Sequence, residues 1–357
     1  MGENNFVEVF EFLSNVREDV RKMAAQGLAQ HSKDNTELFD FLASSKHGPK
    51  CIDLLLQYMH AGAVQLLGDV LTILINCSAN STCVEALVAH KIVRKAMRLL
   101  DSLEASDHPT SLQRGLEEMT LMLLSNLTAS HVTAADDLLQ VADEDLRGFY
   151  VGKLHTYFSR FASSGGDEQE KREKDADEGT GGDEDHRKVD FSKQAPARDL
   201  QKWVLQILHN LTRTMDGQKL LMGDEDWVAT LTVSLSSPNP RHRLLAAQCY
   251  RNCSFLREQH GGLVRGGCIR ACVERLCTGS ERSGDVERLL AEIVTNVMES
   301  EVGMECLDEL NAKKHLEAAA ASGKMSADTS EFIVHHVLPH LDDVVDAYVM
   351  NDGDEVD

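Results

Sequence analysis

The sequence predicts an all-α fold made of stacked helical repeats, and three observations support this prediction. Aromatic residues are few (5%) and only six prolines occur in 357 residues, a composition that suits closely packed helices. A short frame with an Asn at its centre recurs five times along the chain. The recurrences are separated by 50, 84, 42 and 44 residues, and periods of about 40 to 47 residues are typical of helical solenoids.

Each copy of the frame has an apolar residue two positions before the Asn and another one position after it. The residues at its centre are Asn76, Asn126, Asn210, Asn252 and Asn296. Residues 28–32, which lie 46 residues before the first full frame, have the pattern of a degenerate first copy. The longest interval contains a polar insert from 163 to 196, and its removal shortens that interval to 50 residues. We therefore expect about six repeats followed by a C-terminal helical cap.

The helix that carries each Asn is predicted from its apolar period. Positions six, three and two before the Asn and one after it are nearly all apolar, and at 100° per residue they form one stripe. We expect this stripe to pack inward. A Leu recurs about eleven residues after each Asn and marks the turn into the next repeat, with short helices expected at 92–100 and 227–235. These residues are Leu87, Leu138, Leu221, Leu263 and Leu307.

The net charge of −22 is concentrated in two segments. Residues 163–190 include 11 acidic and 5 basic side chains, and residues 342–357 include 7 acidic and no basic ones. The first segment has almost no apolar residues, so we expect it to be disordered, either as a solvating linker or as a site for a basic partner. The expected organisation is N-terminal repeats at 1–162, an acidic insert at 163–197, C-terminal repeats at 198–308, a helical cap at 309–350 and an acidic tail at 351–357.

Charge and apolar patterning exclude several classes of protein. An acidic chain without a basic stripe or stacking aromatics predicts no nucleic-acid binding. The N-terminal residues match neither a secretory signal nor a myristoylation motif. The longest apolar stretch is interrupted by Asp69, so no membrane span is expected. We therefore expect a soluble protein of the cytoplasm.

Nine cysteines, an odd number, follow helical patterns and do not frame loops. Cys249 with Cys253, and Cys268 with Cys272, are four residues apart and share a helix face, where a thiol behaves as a small apolar group. Their spacing is unlike that of zinc ligands, so we expect reduced core thiols and no metal. The Asn-x-Ser/Thr triplets at 76, 126, 210 and 252 match glycosylation acceptors and are interpreted as by-products of the repeat.

The sequence contains no motif for catalysis or for a cofactor, and we expect neither. Iron-binding HEAT-repeat hydroxylases use His-Glu dipeptides, and this chain contains none. A phosphate-binding Gly-Lys-Ser/Thr loop is also missing, and no Ser or Cys has a nucleophile signature around it. His335, His336 and His340 lie in a helical pattern that Pro339 is expected to interrupt, and they are interpreted as a solvated helix face.

The surface opposite the apolar stripe is the candidate binding site. It consists of the positions four and one before each Asn and three after it, which a superhelix would align along its concave side. The Asn amides either bond backbone within or between repeats, or they hold the backbone of an extended partner. The basic side chains either anchor an acidic or carbonyl-rich client or pair with nearby carboxylates. Besides the five Asn residues, the candidates are Gln206, His209, Arg213, Gln248 and Arg251.

The Leu-x-Asn-Leu-Thr frame resembles the third helix of armadillo repeats. The resemblance implies a right-handed superhelix of three-helix units. Nuclear import adaptors of this kind carry a Trp four residues before the Asn, on which basic cargo side chains stack. The corresponding positions here are not Trp, so import cargo binding of that type is not expected. They hold Thr72, Met122, Gln206, Gln248 and Glu292.

A second resemblance is to the armadillo-like chaperone family dedicated to translation elongation factor 2. Residues 9–13, 20–28 and 123–128 are similar to segments of that family, and Arg-Asn-Cys-Ser-Phe at 251–255 is the most specific match. The resemblance implies a non-catalytic adaptor that holds newly made elongation factor 2 while general chaperones, including the cytosolic chaperonin, complete its folding. The alternative is another cytosolic armadillo adaptor, such as a nucleotide-exchange factor for heat-shock protein 70.

Overall fold

A computed structural model describes residues 3–162 and 198–341 of the chain. Within these ranges all regular secondary structure is helical and no strand occurs. The chain divides into two compact units, Met1–Ile207 and Leu208–Asp357. The predicted insert at 163–197, the end of the predicted cap after 341 and the acidic tail lie outside the described residues, and the expected domain boundaries stay a prediction.

Unit 1 is built from sets of three consecutive helices, and a pair of helices, α1 (Glu3–Leu13) and α2 (Glu18–His31), precedes the first set. The helices after this pair are α3 (Thr36–Ala43), α4 (Gly48–Gln57), α5 (Val64–Cys77, after a 3-10 turn at Ala61–Ala63), α6 (Ser81–Ala89), α7 (Ile92–Glu104), α8 (Thr110–Ser130), α9 (Val132–Leu139), α10 (149–162) and α11 (Leu200–Leu211), which ends in unit 2. The third helix of each set packs on the third helix of the next, α2 on α5 and α5 on α8.

Unit 2 continues the same order of three. Its helices are α12 (Met215–Met222), α13 (Glu225–Ser234), α14 (Pro240–Ser254), α15 (Arg257–Arg265), α16 (Cys268–Thr278), α17 (Gly284–Val297), α18 (Glu301–Glu309), α19 (Ala312–Ala321) and α20 (Ala327–Phe332). Here α14 packs on α17, and α17 packs on α20. The recurrent Leu residues predicted to precede each turn all lie in the first helix of a set and are buried.

The predicted apolar stripe forms the core of both units. In α5 the four stripe positions are all fully buried, and the same is true of α8 and α17. A helix with one wide apolar face is stabilised mainly by burying that face, which explains why these long helices form the spine of each unit. The stripe residues of α5 and α17 are Val70, Ile73, Leu74 and Cys77, and Leu290, Ile293, Val294 and Val297.

Tight turns join the third helix of one set to the first helix of the next. Thr214 accepts from the N–H of Gly217, and Ser300 accepts from the N–H of Gly303, so each caps the helix that follows. A Cβ at Gly217 would lie 2.1 Å from the carbonyl oxygen of Leu211, so only glycine fits this approach. Gly303 approaches the carbonyl of Val297 in the same way.

The prediction that Pro339 interrupts the last helical pattern is wrong. The helix continues from α20 through a π-helical turn at Ile333–Val337 and reaches residue 341. In this turn the N–H of Leu338 donates to the carbonyl of Ile333, five residues back. The wider turn accommodates a proline that would clash in a regular α-helix. His335, His336 and His340 are exposed, as predicted.

All nine cysteines are free, seven of them buried and two half-buried, which confirms the predicted core thiols. Burial raises the pKa of Cys51 to about 11 and that of Cys249 to about 12. The Sγ atoms of Cys268 and Cys272 lie 4.0 Å apart on one face of α16. Thiols with raised pKa values are poor nucleophiles, so these residues act as apolar packing groups.

One buried carboxylate in each unit is held by arginine. In unit 1, Glu117 accepts from Arg160 at 2.7 Å, and Arg160 also pairs with Glu104 at 3.1 Å. In unit 2, Glu281 accepts from Arg243 at 2.7 and 2.9 Å and from Arg275 at 2.9 Å. Burial alone would raise the pKa of Glu281, but these hydrogen bonds and two backbone N–H groups lower it to about 2.

Membrane-spanning potential is limited to one bent helix pair. Within residues 3–162 and 198–341 no single helix is long and apolar enough to cross a membrane. The segments Gly48–Gln57 and Ala61–Cys77 pass a test of length and composition together but are bent by 94° at their junction.

Candidate functional site

The repeated Asn residues form a ladder of hydrogen bonds between successive repeats. In unit 1 the Nδ2 of Asn76 donates to Ser32 Oγ at 2.8 Å, and that of Asn126 donates to Ser78 Oγ at 3.0 Å. Unit 2 repeats the arrangement. There Asn252 Nδ2 donates to Thr212 Oγ1 at 3.1 Å, and Asn296 Nδ2 donates to Ser254 Oγ at 2.8 Å. Asn210 is nearly fully buried.

The hydroxyl that accepts each bond belongs to the residue two positions after the Asn of the preceding repeat, and Ser32 has the same place after Gln30 in the degenerate first copy. It also donates to a carbonyl of its own helix, as Ser78 does to Ile75 at 2.7 Å and Ser254 does to Arg251 at 2.8 Å. This double use explains the Asn-x-Ser/Thr triplets, because the Asn bonds backwards and the hydroxyl accepts from the next repeat. The last triplet has Met298 at the hydroxyl position, where no further ladder Asn follows.

The structural role anticipated for the Asn residues needs one correction. In the structural alternative predicted from the sequence the amides bond backbone within or between repeats, whereas four of the five amides bond side-chain hydroxyls of the preceding repeat. Each described bond uses one N–H of the amide. An Asn side chain has two N–H donors and an oxygen that accepts, so each of these four bonds uses only part of its capacity. The partner-binding role of the ladder stays a prediction.

The term ladder face denotes the positions four and one before each ladder Asn and three after it. In unit 1 this face carries no charged side chain on α5 or α8. Its residues there are Thr72, Ile75 and Ala79, and Met122, Ser125 and Ala129.

A cavity of about 420 Å³ opens on the unit 1 ladder face. Asn76 and Asn126 both line it, together with Lys33, Thr36 and Asn80. Its volume falls within the range of ligand-binding clefts, which is about 300 to 1,000 Å³. The structure thus brings two of the predicted site residues, which are 50 positions apart in sequence, to one cavity.

The ladder face of unit 2 is charged. Arg251 Nε donates to Glu292 Oε2 at 2.8 Å, and Arg288 Nε donates to Glu292 Oε1 at 3.1 Å. Each guanidinium also lies over an aromatic ring, Arg251 over Phe255 at 4.8 Å and Arg288 over Phe332 at 3.8 Å. Two arginines therefore share one carboxylate and are held in fixed orientations. For Arg251 this is the carboxylate pairing predicted from the sequence as the alternative to a client anchor.

Around His209, unit 2 is also positively charged. The Nδ1 atom of His209 is buried, and no described residue forms a hydrogen bond with it. Burial lowers the pKa of His209, and the neighbouring charges of Arg213 and Arg241 lower it further. The imidazole is therefore neutral at neutral pH and offers one donor and one acceptor nitrogen. Arg213 is exposed.

The remaining predicted residues, Gln206 and Gln248, are half-buried. Sequence reasoning missed Arg288, although it lies one turn before Glu292 on the same face of α17. It also missed the hydroxyl partners of the ladder. The signal for these was a Ser or Thr two positions after every frame Asn except the last. In the part of the chain that the structure describes, no group of three or more His, Cys, Asp or Glu side chains is arranged to hold a metal ion.

No protein-family model matches the sequence, and a search of curated proteins finds no matching relative. Solved structures are similar in fold. An engineered protein from a structural genomics consortium has a TM-score of 0.62 at 13% identity, covering 89% of this chain and 64% of that one. The present chain thus spans less than two thirds of that protein's length.

Two further structures have the same kind of similarity. A designed armadillo repeat protein in complex with the peptide (KR)4 has a TM-score of 0.57 at 12% identity, covering 81% of this chain and 98% of that one. A chain from work on the interaction between cadherin and beta-catenin has a TM-score of 0.57 at 13% identity, covering 89% of this chain and 51% of that one. At these identities the likeness shows the fold alone, and it confirms the predicted all-α armadillo-like repeat fold.

Proposed function

We propose that this chain is a non-catalytic protein-binding scaffold that holds an extended segment of a protein client against its ladder face. The observation that carries the proposal is the cavity of about 420 Å³ lined by both Asn76 and Asn126. Each of these amides has one described hydrogen bond, to the hydroxyl of the preceding repeat. The second N–H and the oxygen are paired with no described residue, so both can bond the backbone of a client.

Two of the structural neighbours support a role in protein binding. One is a designed armadillo protein in complex with a peptide, and another comes from work on the binding of cadherin to beta-catenin. The Asn amides, which recur once in each repeat beside the ladder face, suit a client held by many weak contacts.

The client that we propose is newly made elongation factor 2, in the cytosol and with general chaperones such as the cytosolic chaperonin. The proposal rests on the resemblance of residues 251–255 to the chaperone family dedicated to that factor. A pull-down from cytosol, followed by direct binding of purified elongation factor 2, tests it. A heat-shock protein 70 that dominates the pull-down, with no binding of the purified factor, would support the nucleotide-exchange alternative and overturn this choice of client.

A matched pair of variants separates client binding by the ladder from its structural role. Ser78→Ala removes the inter-repeat hydrogen bond and leaves the amide of Asn126 in place, whereas Asn126→Ala removes both. Each should lower the free energy of unfolding by about 1 kcal/mol, the usual contribution of one hydrogen bond. We expect Asn126→Ala to weaken capture of elongation factor 2 by about tenfold, which corresponds to about 1.4 kcal/mol, and Ser78→Ala to leave it nearly unchanged.

The outcome that contradicts the proposal is equal capture by the two variants. In that case the amide of Asn126 contributes to binding only through repeat packing, and the ladder has no direct contact with the client. Melting curves of both variants are the control, since a variant that loses much more than one hydrogen bond has a wider structural defect.

A further inference from the structure

Two arginines hold one carboxylate at the unit 2 ladder face. Arg251 and Glu292 lie on that face, and Arg288 lies one turn before Glu292 on α17. Arg251 and Arg288 both use Nε to hold Glu292, so the three charges leave one positive charge in excess. Among the described residues, none accepts a hydrogen bond from the four Nη atoms of these arginines. The side chains are 39% and 46% exposed, so these donors remain in contact with solvent.

The guanidinium groups are also fixed before any ligand arrives. The ring of Phe255 lies against Arg251 and the ring of Phe332 lies against Arg288. Stacking on an aromatic ring reduces the rotamer freedom that an arginine loses when it binds an anion. Planar guanidinium groups that keep unused donors fit the two oxygens of a carboxylate. We designate Arg251, Glu292 and Arg288 the arginine pair site.

A strongly acidic segment of the same chain begins ten residues after Phe332. Phe332, which contacts Arg288, belongs to α20, and α20 packs on α17. The described chain ends nine residues later, and residues 342–357 carry seven carboxylates and no Lys or Arg. Sixteen residues can span about 50 Å, whereas packed helices lie about 8 to 10 Å apart. Both α17 and α14 are therefore within reach.

We propose that the acidic segment 342–357 docks on the arginine pair site of its own chain. The excess positive charge of the site attracts the negatively charged segment, and such a positive site is unusual in a chain that is otherwise acidic. A tethered segment acts at a local concentration on the order of millimolar, so even a weak contact is well populated. The contact itself does not depend on the proposed function. Its consequence, competition with a client, does.

The test uses a labelled synthetic peptide of residues 342–357 and full-length protein. A tail-neutral variant changes the six aspartates of this segment to Asn and Glu355 to Gln. We expect the peptide to bind the tail-neutral protein about tenfold more tightly than the unmodified protein, because the tethered competitor is gone. Raising NaCl from about 50 to about 300 mM should weaken this binding severalfold. Fluorescence polarisation measures both effects.

Two substitutions with opposite expected effects localise the contact. In the tail-neutral background, Arg251→Gln with Arg288→Gln should abolish peptide binding. Glu292→Gln should tighten it severalfold, because the internal carboxylate no longer competes for the two guanidinium groups. A folding defect would weaken binding in both variants, so a gain for Glu292→Gln cannot come from misfolding.

Three results would overturn the inference. The first is equal binding of the peptide to the unmodified and tail-neutral proteins, and the second is unchanged binding after loss of both arginines. The third is a dimer of the unmodified protein in sedimentation that disappears in the tail-neutral variant, because the segment then docks on a second copy. Capture of elongation factor 2 is measured separately on the same proteins, so failure of the proposed client leaves the peptide result intact.

Discussion

The Asn-to-hydroxyl hydrogen bonds are of the same kind in the two units, but the side chains of the two ladder faces differ. Asn126 bonds Ser78 in unit 1, and Asn296 bonds Ser254 in unit 2, with nearly the same geometry. The neighbouring positions are uncharged on α5 and α8, whereas on α14 and α17 they include Arg251, Glu292 and Glu299. The amide and hydroxyl therefore set the stacking, while the adjacent rows vary without disturbing it. Fold and binding preference are encoded at different positions of the same helix.

The interiors of the two units also differ in charge, because the buried carboxylate of unit 2 has more charged partners than that of unit 1. Glu117 in unit 1 is held by Arg160, which has a second partner in Glu104. Glu281 in unit 2 is held by two arginines and by the N–H groups of Arg282 and Ser283. Unit 2 thus depends more on a single buried charge than unit 1 does.

The largest expected effect follows from this difference. Glu281→Gln should lower the free energy of unfolding of unit 2 by about 3 kcal/mol, because Arg243 and Arg275 lose their shared buried counter-charge. Glu117→Gln should cost only about 1 kcal/mol, because Arg160 retains Glu104. Urea unfolding can be followed in each unit with single-tryptophan backgrounds, Trp227→Phe leaving Trp203 in unit 1 and Trp203→Phe leaving Trp227 in unit 2. Equal losses for the two variants would contradict the comparison.

The same carboxylate predicts a pH dependence. The pKa of Glu281 is lowered from 4.5 to about 2 in the folded protein. Its stabilising contribution is therefore complete above about pH 4.5 and is lost as the pH falls towards 2. Unit 2 of the unmodified protein should lose stability in this window. Glu281→Gln should remove that part of the slope, which unfolding curves at several pH values would reveal.

A smaller effect is expected from reversing charge on the unit 2 ladder face. Arg213→Glu with Arg251→Glu should weaken client capture by about tenfold, or about 1.4 kcal/mol, if a client surface that is acidic or rich in carbonyls binds there. The matched control is Arg94→Glu with Arg98→Glu, which makes the same change of charge at exposed positions of α7. Equal losses of capture in both pairs would indicate a general charge effect and remove Arg213 and Arg251 from the site.

The smallest effect tests whether the ladder is the same in both units. Ser78→Ala and Ser254→Ala should each lower the free energy of unfolding of their own unit by about 1 kcal/mol, because each removes one inter-repeat bond. Tryptophan fluorescence of the same single-tryptophan backgrounds during urea unfolding reports on each unit. A difference of more than about 1 kcal/mol between the two would show that the ladder contributes unequally.

Much of the fold could be predicted because it depends on local periodicity. The frame around each Asn fixed the inward stripe, and the stripe residues of α5, α8 and α17 are buried as expected. The helix through Pro339 was missed because a single proline usually ends a helical pattern, and the sequence does not reveal that a π-helical turn accommodates it.

The candidate site was less predictable, since its decisive contacts join residues about 40 to 50 positions apart. Ser78 and Asn126 are 48 residues apart, and Arg251 and Glu292 are 41 apart. One sequence shows that both positions exist but not that they meet. Arg288 was missed for a related reason, because its role depends on a ring from α20 and a carboxylate shared with α14.

The hydroxyl that follows each ladder Asn gives the chain a direction. A repeat offers an acceptor to its successor and a donor to its predecessor, so repeats join only head to tail. Excision of residues 213–254 would bring Asn296 opposite Thr212, which is the same kind of partner that it has now. Such a chain can lengthen or shorten by whole copies during evolution without inventing a new junction. Met298 offers no hydroxyl, so the ladder of hydrogen bonds between repeats ends there.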